Sequence, residues 1–206
     1  MNRRNLIKGL AAFGALSVMP SQLISDKKNQ NRIHYIGLGG AGCQIVDYIL
    51  KNKKPQNSSF ICIEKERISD LSPQIKQLSF SVEEQNKQHF LTPEIRDVFT
   101  KGNRYVLIGG LGGVTGTYLF EKLNRWLFEQ NHNFLSVCNT PFAFEGRKRS
   151  VIAESIIQQF QYRDNFEYFA ADTIRETHGN LSLSQAFREI DNLLYELAQK
   201  HLQENA

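Results

Sequence analysis

The chain has 206 residues, of which 41% are apolar and 22% are charged, so it is long enough for one globular domain with an appendage. This composition excludes a disordered chain, a collagen-like repeat and a long coiled coil. The formal net charge is +4, and Arg3, Arg4 and Lys8 supply three of these charges, so the sequence predicts no nucleic-acid-binding surface. Three cysteines without a CxxC pair and five scattered histidines predict neither a disulfide scaffold nor a metal site.

Residues 1–30 have the pattern of a signal or anchor segment followed by a linker. A paired-arginine start precedes a mildly apolar stretch at residues 9–19, and a polar, lysine-containing stretch follows. This order is typical of export signals. The run NRRNLIK resembles the twin-arginine signal, with Asn, Leu and Ile where that signal has Ser, Phe and Leu. We expect a periplasmic location or membrane attachment through residues 1–20; the alternative is a cytoplasmic location with a basic amphipathic start.

From residue 33 onward, short β-rich runs alternate with stretches of helical periodicity. Strands are predicted at residues 33–36, 60–64, 105–108, 134–138 and 166–170, and helices at residues 43–51, 93–101, 117–130, 148–160 and 183–203. Ser184 is the predicted N-cap of the last helix. Such alternation indicates an α/β fold over residues 31–206: a three-layer, Rossmann-like parallel sheet with helices on both faces, ending in a long helix.

A first glycine-rich loop, here called loop A, follows the first strand at residues 37–42. Its sequence GLGGAG matches G-x-G-x-x-G and precedes a helix, an arrangement that lets backbone N–H groups approach a phosphate. The same pattern serves tight turns without a ligand. It also fits dinucleotide-dependent oxidoreductases, in which Glu64, 22 residues after Gly42, would bind a ribose. Cys43 at a helix start is a candidate redox thiol, or simply a small packing residue.

A second glycine-rich loop, loop B, covers residues 109–117 and has the sequence GGLGGVTGT. Successive N–H groups in such a loop form an anion-binding nest, to which threonine hydroxyls add donors. Both loops are expected at the carboxyl edge of the sheet, where ligands bind in open parallel sheets. Segment C, NTPFAFEGRKR at residues 139–149, follows another strand. In this segment, Glu145 is a candidate to accept hydrogen bonds from ribose hydroxyls and Arg149 to pair with phosphate oxygens. The alternative is a solvated basic helix start without a ligand.

Together these elements resemble the FtsZ/tubulin family of GTP-binding filament proteins, on the FtsZ side. Loop A is similar to the family's first phosphate loop, loop B to its G-M-G-G-G-T-G-T-G signature, and segment C to its T-K-P-F-x-F-E-G-x-x-R segment. The last helix, SLSQAFREIDNLLY, resembles the family's central helix. The resemblance implies binding of GTP or GDP, with Mg²⁺ accompanying the nucleotide. It implies nucleotide contacts from Gly39, Gly40, Ala41, Gly42, Cys43, Gln44, Gly112, Gly113, Val114, Thr115, Gly116, Thr117, Glu145, Arg149, Phe187 and Asn192. Among these, Phe187 would stack on guanine and Asn192 would read its edge.

The chain also departs from the family pattern. Val114 stands where loop B of the family has a glycine, and residues 78–91 contain no glycine where the family has a phosphate sensor. The sequence given stops after the central helix, so we expect the family's C-terminal domain and its water-activating acidic loop to be absent. The resemblance then implies no catalytic residue, little or no intrinsic GTP hydrolysis, and assembly with copies of itself or a filament-forming partner. The alternative is a degenerate FtsZ-like interaction protein that has lost the nucleotide.

Overall fold

The computed structural model describes residues 32–80, 91–179 and 181–205. The residues from Asn31 to Ala206 form one compact unit, and the expected signal at residues 1–30 lies outside the described residues. Within those residues, no helix is both long and apolar enough to cross a bilayer.

Six parallel strands form one sheet in the order β3-β2-β1-β4-β5-β6. The strands are β1 (Ile33–Leu38), β2 (Ser58–Glu64), β3 (Lys76–Ser79), β4 (Arg104–Gly110), β5 (Asn133–Asn139) and β6 (Phe166–Phe169). The predicted parallel α/β fold is confirmed. The sequence patterns gave no prediction for β3, which pairs with β2 at one border of the sheet.

Helices cover both faces of the sheet. They are α1 (Gly39–Tyr48), α2 (Pro93–Arg96), α3 (Val114–Glu129), α4 (Arg147–Phe160), α5 (Thr173–His178) and α6 (Leu183–Glu204). A π-helical turn, Ile49–Lys53, extends α1. The short helix α5 was not predicted. The long closing helix was predicted, but its N-cap is Ser182 rather than Ser184, because the Ser182 hydroxyl accepts from the Gln185 N–H.

Alternation along the central strands divides the apolar residues into two cores. Ile36, Leu38 and Leu107 face α3 and α4 in one cluster, whereas Tyr35 and Val106 face α1 and α6 in the other. Both clusters consist of buried residues, so each face of the sheet is sealed by helices.

The register of the central strands brings the two glycine-rich loops together. In the β1–β4 pair, Leu38 lies opposite Gly109. Since parallel strands end at the same edge, loops A and B leave the sheet side by side, and α1 and α3 begin next to each other.

Candidate functional site

Loops A and B touch directly at the carboxyl edge of the sheet. Gly39 has φ +71°, and a Cβ at this position would lie 2.5 Å from the Gly116 Cα. Real side chains do not tolerate this distance, so both the backbone conformation and the close approach require glycine. A Cβ on Gly110 would likewise lie 2.8 Å from the Ala41 Cβ. The two loops therefore form one continuous surface, here called the two-loop cradle (residues 37–42 and 109–117).

The two-loop cradle presents the N-termini of two helices. Helix α1 begins at Gly39 after Leu38, and α3 begins at Val114 after Gly113. Neither Leu38 nor Gly113 has a side chain that can accept a hydrogen bond, so the first-turn N–H groups lack the usual side-chain cap. These donors, together with the positive ends of two helix dipoles, favour an anion.

Space is open above loop B. A Cβ on Gly113 would meet no atom within 4 Å, and the Val114 side chain is 82% exposed. The valine that replaces a family glycine is therefore exposed to solvent rather than packed against the loops. Thr117 is buried, and its hydroxyl accepts from the Gly112 N–H at 2.9 Å, so this side chain holds loop B in shape.

Segment C closes one side of the cradle. Gly112 has φ +93°, and a Cβ there would lie 2.9 Å from the Arg149 Cβ, which places Arg149 against loop B. Its guanidinium pairs with the Glu145 carboxylate at 2.5 Å. The other Glu145 oxygen accepts from the Phe142 N–H at 2.9 Å. The two residues predicted to bind ribose and phosphate thus lie beside the cradle and are bonded to each other.

The carboxylate of Glu64 lies beside loop A of the two-loop cradle. The Glu64 Oε2 atom lies 3.7 Å from the position that a Cβ would take on Gly39 and also on Gly40. Its Oε1 atom accepts from the Lys65 N–H. Glu64 thus places negative charge beside the helix N-terminus of loop A. The position at the end of β2 was noted in the sequence, but only as a ribose ligand of a dinucleotide site.

The base-binding residues predicted on α6 fall on different sides of this helix. Phe187 is 41% exposed and packs edge-on against Phe142, with ring centroids 5.4 Å apart. Asn192 lies five residues later, about 140° around the helix, and its amide donates to Glu196 at 3.0 Å. The structure therefore does not bring Asn192 to the side of α6 that carries Phe187.

Asp191 is the residue that shares a side of α6 with Phe187, because it follows by four positions. Burial raises the pKa of its carboxyl to about 6. Its charge also contributes to raising the pKa of Tyr48 on α1, where burial is the larger cause. Sequence reasoning missed Asp191, although the i, i+4 spacing was a readable signal.

Some of the predicted nucleotide-contacting residues are exposed at the carboxyl edge of the sheet, and the others are buried beneath it. Those at least partly exposed are Gly40, Ala41, Gln44, Gly113, Val114, Thr115, Glu145, Arg149, Phe187 and Asn192, whereas Gly39, Gly42, Cys43, Gly112, Gly116 and Thr117 are buried. The buried ones shape the loops, and only their backbone groups are placed to meet a ligand. An open pocket of about 530 Å³ lies next to the Phe142 and Phe144 rings and is lined by Phe142, Phe144, Ile174, Gly179, Leu181, Leu183 and Ala186.

The fold is that of the FtsZ/tubulin GTPase domain. Among solved structures, an FtsZ mutant from M. jannaschii superposes with a TM-score of 0.69 at 19% identity, over 86% of this chain and 58% of that chain. GDP-bound monomeric CetZ1 from Haloferax volcanii gives 0.57 at 18% identity, over 79% and 57%. The PhuZ201 filament protein gives 0.57 at 14% identity, over 84% and 57%.

Curated relatives support the same FtsZ/tubulin-like family. Mitochondrial division protein fszB of Dictyostelium discoideum is 22% identical over 183 residues, covering 81% of this chain and 50% of the relative. Cell division protein FtsZ 1 of Pyrococcus woesei is 26% identical over 188 residues, covering 79% and 48%. The chain thus spans about half the length of these relatives. No family model matches the sequence.

Proposed function

We propose that this domain binds a guanine nucleotide, GTP or GDP, at the carboxyl edge of its sheet. The observation that carries the proposal is the contact between Gly39 and Gly116, which joins two glycine loops and two helix N-termini into one open cradle. The phosphates would receive N–H groups of the first turns of α1 and α3. Arg149, held against loop B, would face the phosphate or ribose.

The base would lie beside Phe187. Its exposed ring offers a stacking surface. One turn further, the ionised Asp191 carboxylate is an acceptor-only group, and the guanine edge presents two adjacent N–H donors. Adenine presents an unprotonated ring nitrogen at the corresponding position, so Asp191 would favour guanine.

Magnesium would arrive with the nucleotide. The described residues contain no cluster of three or more histidine, cysteine or carboxylate side chains arranged to hold a metal. Glu64 is the carboxylate nearest loop A, and Mg²⁺ in phosphate sites commonly takes one or two carboxylates together with phosphate oxygens. Bound Mg²⁺ would neutralise phosphate charge, which Glu64 alone would repel.

We further propose that the domain by itself hydrolyses GTP slowly or not at all. Phosphoryl transfer needs a group that positions the attacking water. Glu145 is occupied by Arg149 and Phe142, and Asp172 accepts from the Ala143 N–H. Assembly into a filament, as for the structural neighbour PhuZ201, would be the means of completing the site with groups from another subunit.

Isothermal titration with GTP, GDP and ATP tests the binding proposal, and Gly113 offers a matched pair of variants. Asp and Asn are both good N-caps, and the space above Gly113 is open, so Gly113→Asp and Gly113→Asn should both fold. A carboxylate in the cradle repels phosphate, and we expect Gly113→Asp to bind GDP at least about tenfold more weakly than Gly113→Asn. Equal affinities of the two variants, or no preference for guanine over adenine, would contradict the proposal.

The second candidate function is that of an interaction protein without nucleotide. The Arg149 guanidinium already pairs with the Glu145 carboxylate, and Phe144, Leu183 and Phe187 expose 55%, 52% and 41% of their surface. Such a patch is typical of a protein-binding surface. Under this alternative the purified protein carries no nucleotide, and no nucleotide shifts its thermal unfolding.

We propose a twin-arginine-type signal for residues 1–30, which lie outside the described residues. A fusion of these residues to a reporter should be exported when the twin-arginine pathway is active and retained when it is blocked. Retention in both cases would exclude export by this route and favour the cytoplasmic alternative.

A further inference from the structure

Two cysteine thiols lie next to each other beneath loop A. Cys43 belongs to the first turns of α1, and Cys62 lies on β2 opposite Gly37 in the strand register. The Cys43 thiol donates to the Gly37 carbonyl at 3.6 Å, and the Cys62 thiol lies 3.7 Å from the Cys43 carbonyl that accepts from it. The two side chains are therefore held together by the same backbone that shapes loop A.

A small cavity reaches this pair. Cys43 and Cys62 both line a space of about 200 Å³, whose other walls include Glu64, Gln77 and Ser79. Such a volume holds several water-sized molecules. A small oxidant such as hydrogen peroxide fits this volume. The third cysteine, Cys138, is buried on β5 and does not line this cavity.

We propose that Cys43 and Cys62 form a reversible disulfide that acts as a redox-sensitive lock on loop A. One thiol gives up its proton and attacks peroxide, the O–O bond breaks, and a sulfenic acid and water result. The second thiol attacks the sulfenic sulfur, forming the S–S bond and releasing a second water. Two thiols and one peroxide thus give one disulfide and two waters, and a thiol reductant reverses the change.

Oxidation would alter loop A because both thiol protons serve its backbone. When they leave, the carbonyls of Gly37 and Cys43 lose their donors, and the new bond ties the first turns of α1 to β2. The Cys62 thiol, burial and the nearby Glu64 charge all raise the pKa of Cys43. The thiolate is the reactive form, so we expect oxidation to be slow at neutral pH and faster as pH rises.

The test treats the full chain with hydrogen peroxide at several pH values, removes the oxidant, then denatures and alkylates the protein. Intact mass should show three alkylated cysteines before treatment and one after it, and a non-reducing digest should link the Cys43 and Cys62 peptides. Cys138→Ser should retain the link, whereas Cys43→Ser and Cys62→Ser should lose it. Three alkylated cysteines after treatment, or a link through Cys138, would overturn the proposal.

A second measurement tests the lock itself in wild-type protein. Hydrogen exchange of the amides of residues 39–46 should differ between the oxidised and reduced forms, and reduction should restore the original rates. If hydrogen exchange of these amides is unchanged in protein that fully carries the Cys43–Cys62 disulfide, the proposal that the disulfide locks loop A is wrong.

One consequence rests on the proposed function: oxidation should change GDP affinity about tenfold, within the usual range for coupled sites. Absence of GDP binding by the reduced protein would count against the proposed function, while the thiol and exchange measurements would still decide the disulfide.

Discussion

At the scale of single residues, Asp191 is a side chain whose charged form is costly to the fold. Burial raises the pKa of its carboxyl to about 6, which means that the folded protein disfavours the charged form. Such penalties are concentrated at binding sites, where a ligand can relieve them. The N–H donors of a guanine edge would do so by hydrogen-bonding the carboxylate next to Phe187.

The raised pKa predicts a pH-dependent stability. Because the folded pKa lies above the usual value near 3.8, the folded state holds the proton more tightly than the unfolded state. The contribution of Asp191 to stability is therefore complete below about pH 4 and is lost as pH rises through about 6, a change of roughly 2–3 kcal/mol. Asp191→Asn should thus be more stable than wild type at pH 7.5, with the difference shrinking towards pH 4.5.

Urea unfolding of both proteins without nucleotide, at pH 4.5, 6 and 7.5, measures this difference. Asp164→Asn, at an exposed position, serves as the surface control. If the difference between Asp191→Asn and wild type does not grow with pH, the cause assigned to the raised pKa is wrong. The same variant should bind GDP more weakly at pH 7.5, since an amide cannot accept from both donors of the guanine edge.

At the scale of secondary-structure elements, helix α6 depends on its first turn for a defined start. Ser182 and Gln185 form a capping box: the hydroxyl accepts from the Gln185 N–H, and the Gln185 side chain accepts from the Ser182 N–H at 2.9 Å. Ser182→Ala should reduce the free energy of unfolding by about 1 kcal/mol. Ser184→Ala is the comparison variant: the Ser184 hydroxyl is exposed and lies 3.2 Å from the Ser182 hydroxyl, but Ser182 is the N-cap that accepts from the Gln185 N–H.

Thermal or urea unfolding of the two variants compares these positions. A loss from Ser184→Ala as large as that from Ser182→Ala would contradict the assigned cap. Because the box fixes the direction in which Phe187 and Asp191 are presented, Ser182→Ala should also weaken nucleotide binding. Under the alternative function without nucleotide, the stability effect alone remains.

The elements that the sequence predicted correctly are those with a strong local signal. Central strands such as β1 and β4 are rich in apolar residues, because both of their faces are buried. By contrast, β3 has only four residues, with an exposed residue at each end. Its sequence therefore lacks a periodic hydrophobic pattern from which a strand could be predicted. The cap was misplaced by two residues because serine occurs at both positions, although Gln185 stands three residues after Ser182.

The candidate site was also predictable only in part, because some of its contacts depend on strand pairing and side-chain rotamers rather than on local sequence. Glycine spacing and helix position revealed loops A and B, since their chemistry is local. The adjacency of Cys43 and Cys62 depends on the pairing of β1 with β2, and the Glu145–Arg149 pair depends on side-chain rotamers. Which of Asn192 and Asp191 shares a side of α6 with Phe187 depends on the angular position on that helix, and the helical period specifies it once the helix is placed.

At the scale of the whole molecule, the sheet order explains why the two glycine-rich loops and segment C lie at one edge of the sheet. Strands β1 and β4 are central neighbours, and β5 follows β4, so loops A and B and segment C leave consecutive strands on the same side. The helices that follow the two loops cover opposite faces of the sheet, with α1 on one and α3 on the other. The cradle thus joins the two layers of helices, and the close packing at Gly39, Gly110 and Gly112 leaves no room for a Cβ.

The same architecture predicts that residues 31–206 fold without the preceding segment. Strand β1 begins at Ile33, and the described residues contain the full six-stranded sheet and both apolar cores. A variant lacking residues 1–30 should unfold in one transition, with a midpoint within about 2 °C of the full chain. It should also keep the GDP affinity of the full chain, because the cradle is intact.

Deletion of residues 1–40 provides the contrast. It removes β1 from between β2 and β4 and takes Gly39 from loop A, so we expect loss of the cooperative transition. Calorimetry and far-ultraviolet circular dichroism distinguish the two deletions. A midpoint lowered by more than about 4 °C on removal of residues 1–30 alone, equivalent to 1 kcal/mol or more, would show that the folded unit begins before Asn31.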